Sequence, residues 1–456
     1  RGDPISLVED VPGAEWLRAG TICWAEGGKE RVVVTDRKVG PDADALVFHP
    51  PILALGIGCE RGCSAEEITH LARAALAEAG LASGAVAAIV SIELKLGEPG
   101  IHALAAELGV PARFFAAPDL LAETQRLSER SEAVFRATGC WGAAEGAALA
   151  AVGRDGVLVV PKRKSRRATC AIARAPKPIA ADAIGRSRGR LAIIGIGPGD
   201  RAWRTPEASA ALARASDVVG YGLYLDLLGR AIEGKKRHAS AIGEEEARVR
   251  LALDLSAGGR SVALVSSGDS GIYGLAPLVF ELLDRAAKPE WRTVELSVCP
   301  GLSALQAAAA RAGAPLGHDF CAISLSDLLT PWKTIHTRLE AAASADFVIA
   351  LYNPRSARRQ ARLAEAADIL LRHRPAQTPV FIGRNLGRDK EERRIIALSE
   401  LARAEIDMLT LLIVGSSRTR RIDGNPPYLY TPRGYFDGAP HGTNPRDEVP
   451  GGKGPQ

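Results

Sequence analysis

Leu191-Ala192-Ile193-Ile194-Gly195-Ile196-Gly197-Pro198-Gly199-Asp200 decides the fold of the C-terminal half of this 456-residue chain. Four apolar residues in succession read as a buried strand, and the glycines as the tight turn that leaves it. Gly-x-Gly suggests half of a dinucleotide fingerprint, but Asp200 stands in place of the third glycine, where a helix is expected to open. A carboxylate there competes for the helix's first amides and repels a pyrophosphate, and Pro198 removes an N–H donor. Gly-Lys-Ser/Thr does not occur, so a P-loop is excluded.

Similar loops follow further strands outward from this one. Ser266–Gly274 follows the strand expected at Val262–Ser266, and Cys299–Ala304 follows Thr293–Val298. Tyr352-Asn353-Pro354 follows Phe347–Leu351, and Gly383–Gly387 follows Val380–Ile382. More strands are expected at Phe320–Leu325, Ile395–Leu398 and Leu409–Val414, with helical stretches between most of them. Turn chemistry at strand ends marks the carboxyl edge of an open sheet, where ligands bind. Five such loops make a cleft, and the strand count calls for two α/β lobes. The ligand implied is nucleoside-like without phosphate. S-adenosyl-L-methionine fits, because its cationic sulfonium tolerates Asp200 and Asp269 near the cleft.

Before this half lies another α/β pattern. Ile52–Leu55, Gly56-Ile57-Gly58 and a helix capped by Ser64 lead to strands Val86–Ile92 and Val157–Val160, with a helix at Ile101–Leu108. Residues 1–48, with strand-like Ala19–Cys23 and Arg31–Thr35, look too small for a core of their own and read as the remnant of a preceding module. Residues 49–174 form the second unit, 175–190 an exposed Pro- and Arg-rich linker, and 191–430 the two lobes, about 191–310 and 311–430. The Gly- and Pro-rich end, 431–456, reads as a disordered tail.

Composition narrows the function classes. The net charge of +5 is too small to argue for nucleic acid, and the basic clusters at Lys162–Arg167, Arg186–Arg190 and Lys235–Arg237 read as solvated faces or as cations for a polycarboxylate. Seven scattered cysteines read as reduced cytosolic thiols. Cys59-x-x-x-Cys63 lacks a second ligand pair, so no metal site is assigned. No apolar run reaches transmembrane length, so neither a membrane nor a nucleic acid is an expected partner.

The run from Leu191 to Ser417 resembles the tetrapyrrole (class III) methyltransferases, closest to their precorrin-3B C17-methyltransferase branch. The resemblance rests on Gly195–Asp200, Val218–Tyr221, Ser266–Gly274, Pro300–Ala304, Gly313–Phe320, Ser324–Trp332, Leu351–Arg355, Arg384–Arg388 and Val414–Ser416. The family's usual Gly-Asp-Pro-Gly reads Gly268-Asp269-Ser270-Gly271 here. The resemblance implies a two-lobed methyltransferase preceded by a separate small α/β domain, with S-adenosyl-L-methionine as cofactor. It implies that Pro198, Ser267, Gly268, Asp269, Ile272, Ser303, Ala304, Asn353, Leu386 and Thr410 line the cofactor pocket. It further implies methylation at C17 of precorrin-3B or cobalt-factor III with ring contraction, and a cytoplasmic homodimer. Neighbouring methylations at C11 or C20, or tetrapyrrole channelling without chemistry, are the alternatives.

Ring contraction needs proton movement, for which His318, Asp319 and Asp327 in the subfamily-like motifs are the candidates. Arg384 and Arg388 are candidates for the substrate's carboxylates. In the second unit Gly56–Ser64, Ser91–Glu98, Gly142–Glu145, Lys162 and Arg167–Arg174 resemble the C-terminal domain of cobalt-precorrin-5A hydrolase. Glu98, Glu145 and Lys162 are the candidate contacts there for a carboxylated macrocycle.

Overall fold

The computed structural model describes residues 5–19, 22–285, 288–354 and 361–435. The tail beyond 435 and part of the Ala19–Cys23 run lie outside the described residues. The first 48 residues contribute three parallel strands, Ile5–Glu9, Glu30–Val34 and Ala45–Phe48. From the described part of the Ala19–Cys23 run, the Cys23 carbonyl accepts from the Ile5 amide at 3.2 Å, next to a bridge between Ile5 and Trp24. This sheet has no core of its own: Val11, Ala14, Val32 and Val34 are buried together with Ile52, Leu53 and Ile68 of the next unit.

That unit is a five-stranded sheet ordered Ala112–Phe115, Val86–Ile92, Leu53–Cys59, Ala168–Arg174, Val157–Lys164. The first three strands are parallel and the last two join antiparallel. Val86–Ile92 is buried throughout, as its unbroken apolar run requires of a strand covered on both faces. Helices Ala65–Glu78 and Pro99–Leu108 cover one face, and Ala143–Val152 the other. Ser64 caps the first helix as its sequence suggests, its Oγ accepting from the Glu67 amide at 3.2 Å.

Residues 175–190, expected as an exposed linker, do leave many side chains exposed, but their backbone and arginines are tied to the units on both sides. Arg113 donates to the carbonyls of Asp182, Ile184 and Gly185, and Phe114 and Arg186 exchange backbone hydrogen bonds at 2.8 and 2.7 Å. Arg186 then pairs with Glu93 and reaches the Ala257 carbonyl, while Arg188 donates to that of Thr293. The arginines that suggested solvation instead satisfy carbonyls on both sides of the junction, so this stretch is a seam. It meets the next sheet at the amino ends of its strands, where Arg190 faces Glu295.

The first lobe is an all-parallel sheet ordered Lys236–Ser240, Asp217–Tyr221, Ser261–Ser266, Arg190–Gly195, Glu295–Cys299. Its edge strand Lys236–Ser240 hid in the sequence as a basic cluster. The second lobe is mixed: Phe320–Ser324 runs parallel to Val348–Tyr352, while Thr410–Val414, Pro379–Arg384 and Glu392–Ala397 pair antiparallel. Helix Ala304–Ala312 leaves the first lobe's last strand but packs on Val348, Ala350, Phe381 and Ile413 of the second. It therefore ties the lobes together, and the packing boundary falls before it rather than near residue 310.

Candidate functional site

The three glycine loops of the first lobe meet backbone to backbone at the carboxyl edge of its sheet. Gly197 and Gly268 exchange amide–carbonyl hydrogen bonds at 3.1 and 2.8 Å. A Cβ on Gly301 would lie 2.1 Å from the Gly268 oxygen and 2.7 Å from the Gly195 carbonyl carbon, so only glycine permits this approach. Asp269 staples the arrangement: its two carboxylate oxygens accept from the Gly271 and Gly301 amides at 2.8 and 2.9 Å. Asp200 sits apart from the cavity and caps its own short helix, accepting from the Ala202 amide.

The second lobe closes over these loops. Arg388 donates from Nε to the Pro198 carbonyl at 2.6 Å and from Nη2 to Ser267 Oγ at 2.7 Å. Tyr273 reaches the other way, donating its hydroxyl to the Ala322 carbonyl at 3.0 Å. Ser303 and Gln306 form a capping box at the start of the connecting helix, and the Leu305 amide donates to the Tyr352 hydroxyl. Asn353 donates to Ser324 Oγ at 3.0 Å. Tyr273, Asn353 and Asn385 all hold positive φ, near 50°. Such conformations cost energy in residues with a side chain, and here they gather around one cavity.

That cavity measures about 300 Å³. All ten residues implied as cofactor contacts line it: Pro198, Ser267, Gly268, Asp269, Ile272, Ser303, Ala304, Asn353, Leu386 and Thr410. Arg388 also lines it, but two of its guanidinium nitrogens hold protein atoms. Burial lowers the Arg388 pKa from its ordinary range, and the nearby Tyr224 opposes that shift. Further residues complete the wall, among them Tyr221, Tyr273 and Tyr352 from the quoted loops and Tyr224, which no sequence motif included. Four of the chain's seven tyrosines are thus here.

Other candidates lie elsewhere. His318 and Asp319 precede strand Phe320–Ser324, whose far end, Ser324, touches the cavity residue Asn353. Five residues of extended chain, about 17 Å, separate them from that edge. Neither therefore reaches the cavity from this position; His318 Nδ1 accepts from the Asp319 amide. Asp327 lies on the correct edge but accepts from Arg362 at 3.1 Å and does not line the cavity. Arg384 is held by Asp407 and Glu392 in a neighbouring cavity of about 680 Å³, which shares Thr410 with the first.

In the second unit the three candidates are occupied by local structure. Glu98, buried, accepts from the Gly62 amide at 2.7 Å. Glu145, also buried, accepts from the Ser128 amide and hydroxyl and from the Lys162 amide. The Lys162 ammonium pairs with Glu129 at 2.8 Å. Burial pushes the Cys59 thiol up to about 11, against the reactive state a nucleophile needs. The basic hairpin is likewise neutralised, with Arg163 facing Glu78, Lys164 facing Glu129 and Arg167 facing Glu60. Among the described residues no helix is long and apolar enough to cross a membrane.

Comparison with known proteins fits this division. The family Tetrapyrrole (Corrin/Porphyrin) Methylases matches residues 190–402, and Cobalamin synthesis G C-terminus matches 53–173. Precorrin-3B C(17)-methyltransferase of Sinorhizobium sp is 46% identical over 249 residues, covering 54% of this chain and 97% of that protein. Cobalamin biosynthesis protein CobIJ of Mycobacterium bovis is 46% identical over 253 residues, 54% of this chain and 48% of that one. The chain thus spans about half the length of the CobIJ relatives. The crystal structure of the methyltransferase CobJ superposes with a TM-score of 0.50 at 39% identity, covering 54% of this chain and 100% of that one. Through its two C-terminal lobes the chain belongs to the tetrapyrrole (corrin/porphyrin) methylases.

Proposed function

We propose that the two lobes methylate C17 of precorrin-3B or cobalt-factor III, with ring contraction, in cobalamin synthesis. One observation carries the reading: the ten residues implied by the tetrapyrrole methyltransferase resemblance converge on a single interlobe cavity. The cavity suits S-adenosyl-L-methionine. The helix start beside it is closed by the Ser303–Gln306 capping box, which leaves fewer amides for a phosphate, and tyrosine faces suit a sulfonium cation.

When bound, the cofactor supplies an electrophilic methyl group. The protein's part is positioning and exclusion of water. Gly195, Gly268 and Gly301 bring three loop backbones against the cavity floor, and Asp269 fixes their spacing. Arg388 and Tyr273 hold the lobes at a set separation. The substrate-binding role proposed for Arg388 requires its remaining nitrogen, since Nε and Nη2 are engaged.

The Cobalamin synthesis G-like unit docks at the amino ends of the first lobe's strands, opposite the cleft, so we assign it no part in methyl transfer. A homodimer in the cytoplasm is the setting we propose, the assembly to be checked by sedimentation. Incubation with S-adenosyl-L-methionine and each tetrapyrrole, followed by mass spectrometry, tests the activity. No product one methyl heavier from either substrate would overturn the reading, and a difference between the two identifies the form accepted.

A further inference from the structure

Carbon methylation leaves a proton to be disposed of, and the acid–base residues suggested by the sequence motifs do not line the cleft. Its walls hold few titratable groups. Asp269 already accepts two amides, Tyr273 donates to Ala322, and Tyr352 accepts from Leu305. Tyr221 and Tyr224 remain, their rings in edge contact with centroids 5.2 Å apart. Among the described residues neither hydroxyl has a hydrogen-bond partner. Helix Gly222–Leu228, which follows strand Asp217–Tyr221, sets Tyr224 at the cleft wall near Arg388.

The surroundings distinguish the two tyrosines. Tyr224 is faced by Arg388 from the second lobe, by Tyr221 from the preceding turn, and by Arg248 and Glu245 from helix Glu245–Ala257. Burial raises its pKa and Arg388 pulls the other way. The hydroxyl therefore keeps its proton at neutral pH beside a cation that stabilises developing negative charge on its oxygen. Arg388 carries no carboxylate partner among the described residues, so its charge is not cancelled within the protein.

We infer that Tyr224 is a catalytic residue of the cleft, relaying to water the proton the tetrapyrrole loses on methylation. The inference rests on the methyl-transfer reading above. The balance is simple. A carbon electron pair of the macrocycle forms the new C–C bond as the methyl–sulfur bond breaks and its pair stays on sulfur. The macrocycle is left one positive charge richer and discharges it by losing one proton. Tyr224 Oη takes that proton while its own passes to water, so the phenol is unchanged over a cycle and no oxidant or reductant is consumed.

The test compares Tyr224→Phe with Tyr221→Phe in the full chain. Methylation is followed by mass spectrometry, cofactor affinity by calorimetry, and tetrapyrrole binding without cofactor by its absorption shift. Tyr224→Phe is expected to lower kcat about 100-fold, the lower range for general acid–base catalysis, with both binding measurements unchanged. Tyr221→Phe, which keeps the ring on the cavity wall and loses only its hydroxyl, is expected to lower kcat far less than Tyr224→Phe. Wild-type turnover in Tyr224→Phe overturns the inference, as does a fall explained wholly by lost cofactor or tetrapyrrole binding. Equal falls in both variants overturn it too, by showing a packing role for the pair. No methylated product from the wild type would instead overturn the reading beneath it.

Discussion

The two α/β regions of this chain place glycine-rich loops at the carboxyl ends of their strands, yet only one leaves a cleft with tyrosine hydroxyls unengaged. In the methylase lobes the loops at Gly195, Gly268 and Gly301 pack on one another and face a second lobe across about 300 Å³. In the smaller unit the corresponding loops bind each other. Glu98 holds Gly62, Arg167 holds the Arg61 and Gly62 carbonyls, Glu67 holds Ser165 and the Arg167 amide, and Glu145 holds Ser128 and Lys162. A polar residue near a strand end therefore marks a site only if the fold leaves its hydrogen-bonding capacity unspent. Buried carboxylates with three donors are structural anchors first.

The comparison breaks most visibly at Glu145. Its replacement by alanine strands the Ser128 amide and hydroxyl and the Lys162 amide inside the small unit, at a cost of about 3 kcal/mol. Thermal unfolding should show that unit melting early while cofactor binding to the lobes stays at the wild-type level. Unchanged melting would mean that the carboxylate is spared for a ligand after all.

Gly301→Ala attacks the other half. The added carbon meets backbone on two sides, so the loops must separate, and methyl transfer should fall about 100-fold, equivalent to ~2.7 kcal/mol at the transition state. Steady-state kinetics checks this, with the small unit's melting as a control that should not move. Wild-type turnover would show that the loop contact does not set the cofactor's position.

How much of this was legible beforehand follows from what each signal encodes. Strand-then-glycine patterns report local backbone geometry, so the five loops and the ten cavity residues could be read from them and from the family resemblance. Which side chains complete the wall depends on the approach of a second lobe. Tyr224 sits one turn into a helix, and Tyr273 takes a positive φ that favours glycine or asparagine; neither has a spacing signature. His318 and Asp319 precede a strand the sequence already places at Phe320–Leu325, but which end of that strand meets the cleft is fixed only by its long-range parallel pairing with Val348–Tyr352. Lys236–Ser240 escaped because an edge strand with exposed basic residues shows little apolar period. The antiparallel pairings of the second lobe are likewise long-range facts.

Acid gives a smaller, graded probe of the lobes. Asp217 is buried at the amino edge of the first sheet, where it meets His238 and Arg260 at 2.8 Å each. Burial alone would raise its pKa, but the His238 and Ser216 hydrogen bonds and the Arg260 charge together hold it below the ordinary 3.8. A depressed folded value means the carboxylate stabilises the fold above pH 3.8 and loses that contribution as pH falls through the lower folded value. Melting curves of the wild type should therefore fall in this acid range. Asp217→Asn should be less stable at neutral pH and flatter below it, and parallel curves would exclude Asp217 as the cause.

Ser270 sharpens the comparison at its finest scale, because it reverses the pattern found at Glu145. It stands inside the loop Gly268–Gly271, at the position where the family resemblance implies proline, and its side chain is fully buried. Its Oγ has no hydrogen-bond partner, although its backbone carbonyl accepts from Ala276. A buried hydroxyl without a partner costs more than the methyl group it replaces, so Ser270→Ala should stabilise the methylase lobes by about 1 kcal/mol. Chemical denaturation measures the gain, and cofactor affinity should hold, since Ser270 is not among the cavity-lining residues. A loss of stability would show that the hydroxyl is satisfied by bound water. The cofactor loop would then resemble the small unit, with its polar groups consumed by the fold, and the contrast between the two halves would rest on the tyrosines alone.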